Sequence, residues 1–477
     1  MPRSVVLAAA VIALTSAVGC RPSDVLQVPP PAGVVAGGAL NSQAGAEAAY
    51  TVARFQLFGG MVGPYGQGVL AWSELLSDEL TYAGYSFYAI QANVDGRSTR
   101  GDANFQESGD TPWQTLLQGR SAVLLAIPGL MQYEPAAGRS KVGEAYALAG
   151  YAELLLAEDY CAGTPLDRVI PGGGIDYEMS LSTDSLLGVA VAHFDSALAQ
   201  ANGDASVQGL ASVGLGRALL DRGQGTAAAN AVQGVAASFV YSAELGHDQI
   251  TNPYIANLYA SSYSSPYAYE LFFNTADGEG GNGLNFLSAH DPRLTFDSSL
   301  MTASGTPWYL PAKFEVNFSL FPIATGVEAA LISAEVALAT NAVTWLNDLN
   351  ALRTDGTFTV PTVGDTVYGA GTGGVAGLAP LADPGSDSGR VSLMFRERAF
   401  WLFGTGSRLG DLRRLVRQYQ RSAEQVFPTG PYPNGSNLAP PIINYGTDVS
   451  LTLPTPAGGL TITNPNYKGC TTPTSSA

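Results

Sequence analysis

Lysine occurs three times in 477 residues, histidine three times, cysteine three times and methionine six times. Each shortage excludes something. Three lysines (Lys141, Lys313 and Lys468) make a Schiff-base enzyme a poor fit. His193, His247 and His290 are scattered and show no HExxH or other metal-ligand spacing, so no metal site and no cofactor is predicted. Neither a G-x-x-x-x-G-K-[ST] loop nor a G-x-S-x-G elbow occurs, and no catalytic residue stands out. Positive charge is scarce, 23 Lys+Arg against 40 Asp+Glu, for a net charge of -17. That balance excludes binding to a nucleic-acid backbone, which needs basic patches. Beyond the N-terminus no run of about twenty apolar residues occurs, so the body is not membrane-spanning. Carboxylate pairs of the glycosidase type are invisible to this kind of reading, because the partners lie far apart in a chain. A secreted glycoside hydrolase therefore stays open as an alternative.

What is present is a folded, loop-rich chain: 46% hydrophobic residues, 56 Gly and 22 Tyr. Its length exceeds what one compact core usually serves, which points to two domains or to a solenoid with a lengthwise core. Residues 1–19 read as an export signal, with Arg3 ahead of an apolar stretch from Val5 to Leu14. Ser16-Ala17-Val18-Gly19-Cys20 resembles a bacterial lipobox, which predicts lipid on Cys20 and an anchored but water-exposed body. A plain secretory signal with a coincidental Cys is the alternative. Residues 20–41, rich in Pro and Gly, read as a tether, leaving 42–477 as one body. In an exported chain, Cys161 and Cys470 are best read as a disulfide that clips the tail to the helical region. A thiolate catalyst is the rival reading, although neither Cys has a His nearby in sequence.

Helical period governs most of the body. Ala46, Ala49, Tyr50, Ala53 and Leu57 make one stripe, and Trp72 with Leu75 mark a second helix. Trp113–Leu130 and Val142–Asp159 predict an antiparallel pair, and Ser182-Thr183-Asp184 is an N-cap signal for the next helix. Ala211–Ala236, turning at Gly223-Gln224-Gly225, and Gly326–Arg353 read as helical hairpins. These units resemble tetratricopeptide pairs without a strict repeat, and a helical-repeat adaptor that binds another protein is a further alternative. Residues 239–322 change character, mixing β-branched and aromatic residues with turns, and 355–390 read as a long loop. Residues 81–105 are likewise loop-like, with four aromatics followed by polar side chains and Gly.

The most informative stretch is Ser392–Leu415, SLMFRERAFWLFGTGSRLGDLRRL. Two helices flank Gly404-Thr405-Gly406. Arg396, Glu397, Arg408, Asp411 and Arg413 read as structural ion pairs fixing those helices. The pattern E-R-A-F-W-L-F-G-x-G-x-R-x-x-D-L-R-R resembles the signature of the SusD/RagB family, surface lipoproteins that capture nutrients beside a TonB-dependent transporter. Other, weaker elements occur in the family's order: Leu26 to Pro29, EDYCAGTPL with Cys161 as a departure, His290-Asp291-Pro292-Arg293-Leu294, Trp308 to Lys313, LISAEVALAT, and Asn464 to Tyr467. The resemblance implies a mostly α fold, a tetratricopeptide-like scaffold of helical hairpins with long irregular loops and a few short strands. It implies a non-catalytic, lipid-anchored outer-membrane protein facing the cell exterior, which binds a nutrient, foremost an oligosaccharide, for a SusC-like TonB-dependent transporter. Sugar faces stack on flat aromatic rings, and sugar hydroxyls need polar partners. The expected contacts are therefore Tyr82, Tyr85, Tyr88, Asn93 and Arg97 in one loop, with Tyr263, Tyr267, Trp308 and Tyr309 in another.

Overall fold

The computed structural model describes residues 41–62, 68–82, 89–98, 112–170, 174–244, 273–298, 307, 309–311, 320–354, 378–433, 442–453 and 464–477. Residues 1–19, expected to be an export signal, Cys20, and all but residue 41 of the expected tether lie outside them.

In chain order the first helices are α1 (Gln43–Val62) and α2 (Val69–Leu76), followed by β1 (Leu80–Tyr82) and α3 (Ala89–Asp95). Then come α4 (Pro112–Tyr133), α5 (Ser140–Asp159), a small hairpin of β2 (Arg168–Val169) and β3 (Ile175–Asp176), α6 (Thr183–Gln200), α7 (Ala205–Asp221) and α8 (Gly225–Val232). Strands β4 (Val240–Glu244), β5 (Phe273–Thr275), β6 (Phe296–Asp297), β7 (Leu310–Pro311) and β8 (Leu320–Thr325) precede α9 (Gly326–Leu338) and α10 (Ala342–Thr354). The chain closes with α11 (Asp387–Trp401), α12 (Arg408–Arg417) and the single turn α13 (Ala423–Val426). The fold is thus mostly helical, with short strands, as expected.

Four helix pairs carry the scaffold: α1 with α4, α5 with α6, α7 with α8, and α9 with α10. Neighbouring pairs touch through α4–α5, α7–α5 and α8–α9. One pairing differs from expectation. Helices α4 and α5 are neighbours, but the main partner of α4 is α1, far back in the chain. Glycine explains the choice: a Cβ on Gly60 would lie 2.7 Å from the Leu116 Cα, and one on Gly119 only 2.4 Å from the Leu57 Cα. Each glycine lets the backbone of the other helix approach where a Cβ would block it. Capping sets the starts. Asp204 accepts from the Ser206 and Val207 amides, so α7 begins ahead of the expected Ala211. Ser386 accepts from Gly389 N and starts α11 inside the stretch expected to be loop.

All sheets among the described residues are two-stranded and antiparallel: β1–β5, β2–β3, β4–β8 and β6–β7. Val240 opposite Thr325 and Glu244 opposite Leu320 zip together the two ends of the 239–322 segment. Thr325 then caps α9 through Glu328 N, so this strand pair feeds the last helix pair directly.

Helix α12 runs through the interior as a charged strut. Arg398 grips Asp411 with two bonds of 2.7 and 2.8 Å. Arg414 reaches Asp221 at 2.9 Å, Glu335 at 3.0 Å and Asp411 at 2.7 Å, linking α7, α9 and α12. Arg408 grips Asp78 at 2.6 Å, and Glu397 receives Arg293 at 2.8 Å and Arg353 at 2.9 Å. One expected ion pair turns out otherwise. Arg413 donates to the carbonyls of Ala157, Glu158 and Tyr160 at the end of α5, not to a carboxylate. Arg396 is part-exposed, 3.6 Å from adjacent Glu397, and lies over the Phe400 ring at 4.4 Å. Cys161 and Cys470 form a disulfide across 309 residues, and Thr471 N donates to Ala162 O beside it. The tail is clipped to the end of α5.

Candidate binding platform

The two stretches expected to bind ligand meet. Strand β1 ends one of them and pairs with β5 of the other, Tyr82 opposite Phe273. Next to β5, the Asn274 side chain accepts from Tyr309 N at 2.9 Å and donates to Pro307 O at 3.4 Å, while Thr275 Oγ1 donates to Tyr309 O at 2.8 Å. Residues 80–82, 273–275, 307 and 309–311 therefore form one platform, at which the two ring-rich stretches are joined. Local chemistry favours it: β-branched and aromatic residues at the pairing positions suit a half-buried strand edge.

Beneath the platform lies a buried polar knot. Asp95, at the end of α3, accepts from Tyr82 N at 2.7 Å, Thr81 Oγ1 at 3.2 Å and Tyr432 OH at 2.6 Å. Glu279 accepts from Tyr445 OH at 2.8 Å, and the Tyr432 and Tyr445 rings meet edge to face with centroids 5.2 Å apart. Burial raises both carboxyls above their ordinary range; Asp95 pushes Glu279 up further, whereas the hydrogen bond from Glu279 holds Asp95 down in part. A shared proton suits such a pair, which anchors α3, the 273–298 segment, Tyr432 and Tyr445 to one another. Arg97 adds a clamp. It is fully buried, donates to Asp448 O at 3.0 Å and Pro428 O at 2.7 Å, and lies over the Phe427 ring at 5.1 Å.

These positions correct two of the expected contacts. Tyr82 is 1% exposed and Arg97 is 0% exposed, so both build the support and present no side chain to a ligand at the surface. Asn93 and Tyr309 are half-buried at the edge of the platform. Tyr85, Tyr88, Tyr263, Tyr267 and Trp308 lie outside the described residues. Sequence reading missed the roles of Asp95, Glu279, Tyr432 and Tyr445, whose bonds Tyr432–Asp95 and Tyr445–Glu279 span 337 and 166 residues. No local signal announces such a knot. The D-P-R-L element was legible and its use is now plain: Arg293 bonds Asp291 and Glu397 between the rings of Phe400 and Trp401, 5.1 Å from each. It bolts the platform segment to α11. Among the described residues no cluster of His, Cys, Asp and Glu suits a metal ion, and no helix is long and apolar enough to cross a membrane.

Comparison with known proteins gives a consistent picture of the architecture. No family model matches the sequence, and no curated protein matches it either. Solved structures do. A SusD-like carbohydrate-binding protein from Bacteroides vulgatus superposes with a TM-score of 0.54 at 15% identity, covering 78% of this chain and 83% of its own. Surface glycan-binding protein A from Bacteroides uniformis gives 0.54 at 12% identity over 90% of this chain and 99% of its own. A SusD superfamily protein from Parabacteroides distasonis gives 0.56 at 12% identity, covering 78% and 88%. The fold of this chain is the SusD-like fold.

Proposed function

We propose that this chain is a non-catalytic, glycan-binding lipoprotein of the outer membrane that captures its ligand outside the cell and passes it to a SusC-like TonB-dependent transporter. In this reading residues 1–19 are the export signal, Cys20 carries lipid, 20–41 tether the body and 42–477 form one SusD-like unit. The observation that carries it is the convergence of the two ring-rich stretches on the β1–β5 platform. The described ends of two stretches whose sequences hold tyrosines, a tryptophan and polar side chains, the chemistry a sugar needs, are thereby joined on a helical scaffold. Support also comes from the SusD-like neighbours, several of which are named for carbohydrate or glycan binding.

The test is a glycan panel titrated into the protein by calorimetry, with Trp308→Ala and Tyr263→Ala measured in parallel. Binding to at least one glycan is expected, weakened about tenfold or more by loss of an anchoring ring. Co-purification of a transporter barrel after mild extraction tests the partner. Turnover of a glycan would replace this reading with a hydrolase. Capture of a protein, with no glycan bound, would replace it with an adaptor.

A further inference from the structure

A second concavity lies within the helix pairs, where α4, α5, α6 and the β2–β3 hairpin meet. It encloses about 400 Å³. Its walls are aliphatic: Leu124, Leu125, Ile127 and Pro128 from α4, with Val169 and Ile170 from the hairpin side. Leu125, Val169 and Ile170 are 44%, 47% and 43% exposed, so the rim leaves large apolar groups in water. Isolated exposed aliphatics are ordinary; several lining one concavity are not.

The polar end of the groove is built, not incidental. The Glu153 side chain is fully buried and joins two neighbours at once, Arg120 Nε at 2.6 Å and His193 Nδ1 at 2.8 Å. The Tyr146 ring stacks on the imidazole with centroids 5.8 Å apart and planes 28° from parallel. A carboxylate only accepts, so the proton between Glu153 and His193 sits on Nδ1, and in the neutral imidazole Nε2 is left as an acceptor. The positive groups are engaged. Arg168 pairs with Asp176 and Glu178, while Arg120 is held by Glu153 through Nε and keeps a buried Nη1 that has no hydrogen-bond partner. Both cations are thus already paired with carboxylates, and a ligand hydroxyl would find its acceptor in His193 Nε2.

We propose that this groove is a binding site for a small phenol-type ligand, an apolar ring lying on the aliphatic wall with a hydroxyl that donates to His193 Nε2. The site is separate from the β1–β5 platform and does not depend on the glycan reading. An oriented histidine at the end of an apolar groove is the arrangement by which ligand sites combine affinity with orientation. Glu153 acts as the positioning residue, fixing the tautomer that makes Nε2 an acceptor.

The full-length protein would be titrated with 4-methylphenol and with toluene, which differ by the hydroxyl, with sodium benzoate as the anionic probe and methyl glucoside as the sugar probe. We expect 4-methylphenol to bind about tenfold more tightly than toluene, the value of one hydrogen bond. His193→Phe abolishes that preference and leaves toluene unchanged, whereas Leu125→Asp, at an exposed rim position that tolerates substitution, weakens both. Equal binding of 4-methylphenol and toluene to the parent protein overturns the proposal. So do a preference that survives His193→Phe, tighter binding of benzoate or methyl glucoside, and no binding of 4-methylphenol to a protein whose melting profile is intact.

Discussion

Asp159 shows how burial sets the behaviour of single residues here. Its carboxyl sits at the end of α5, receives Ser73 Oγ at 2.8 Å, and is raised from its ordinary 3.8 to about 7 by loss of solvent. Between those values the folded chain holds a proton that the unfolded chain has released. Stability from this group therefore falls as pH rises through that window, by up to about 4 kcal/mol in total. Asp159→Asn has no such proton to lose. Urea unfolding at about pH 4 and about pH 8 should show the variant gaining on the parent at the higher pH; an equal difference at both would refute the assignment. Glycines are equally exacting. A Cβ at residue 119 would enter the α1 backbone, so Gly119→Ala should cost about 1–3 kcal/mol, read as a lowered denaturation midpoint with an unchanged slope.

At the level of elements, α12 is the piece on which the others converge. Arg414 touches acids of α7, α9 and α12 while fully buried, so Arg414→Met would strip Asp221 of its guanidinium and leave Glu335 and Asp411 to Arg398. A loss of about 3–5 kcal/mol is expected. Restoration of stability when Asp221 and Glu335 are neutralised in the same variant would identify the cause as uncompensated charge, since groups in one network do not add independently. The disulfide is an element of another kind. It closes 309 residues, and the entropy of so long a loop sets a ceiling of about 6 kcal/mol on what it contributes. Cys161→Ser should expose residues 464–477 to protease sooner than the helix pairs; simultaneous loss of protection throughout would mean that the tail is not a separate unit.

For the whole molecule, the scaffold and the platform divide the work. Helix pairs and the α12 strut provide rigidity, and the β1–β5 junction brings together stretches separated by nearly two hundred positions in the chain. Function at this scale predicts that aromatic substitutions in the platform stretches lower glycan affinity without lowering the unfolding midpoint. A calorimetric titration paired with a denaturation curve for Trp308→Ala checks it. A variant that lost both together would instead place Trp308 in the support, where Tyr82 and Arg97 already lie.

Much of this was written in local pattern. Helix positions followed from apolar period and from the cap at Ser182, because a helix buries one stripe and its first amides need acceptors. The Cys161–Cys470 pair followed from there being only two cysteines left to join. The charged signature of 392–415 was visible too, but not its partners. Which helix α4 chose, that Arg413 would bind carbonyls, and that Tyr82 and Arg97 would be swallowed by a knot with Asp95, Glu279 and Tyr432 were decided only in three dimensions. Those outcomes depend on distances between residues far apart in the chain. Periodicity says which face of an element is buried, and only packing says against what.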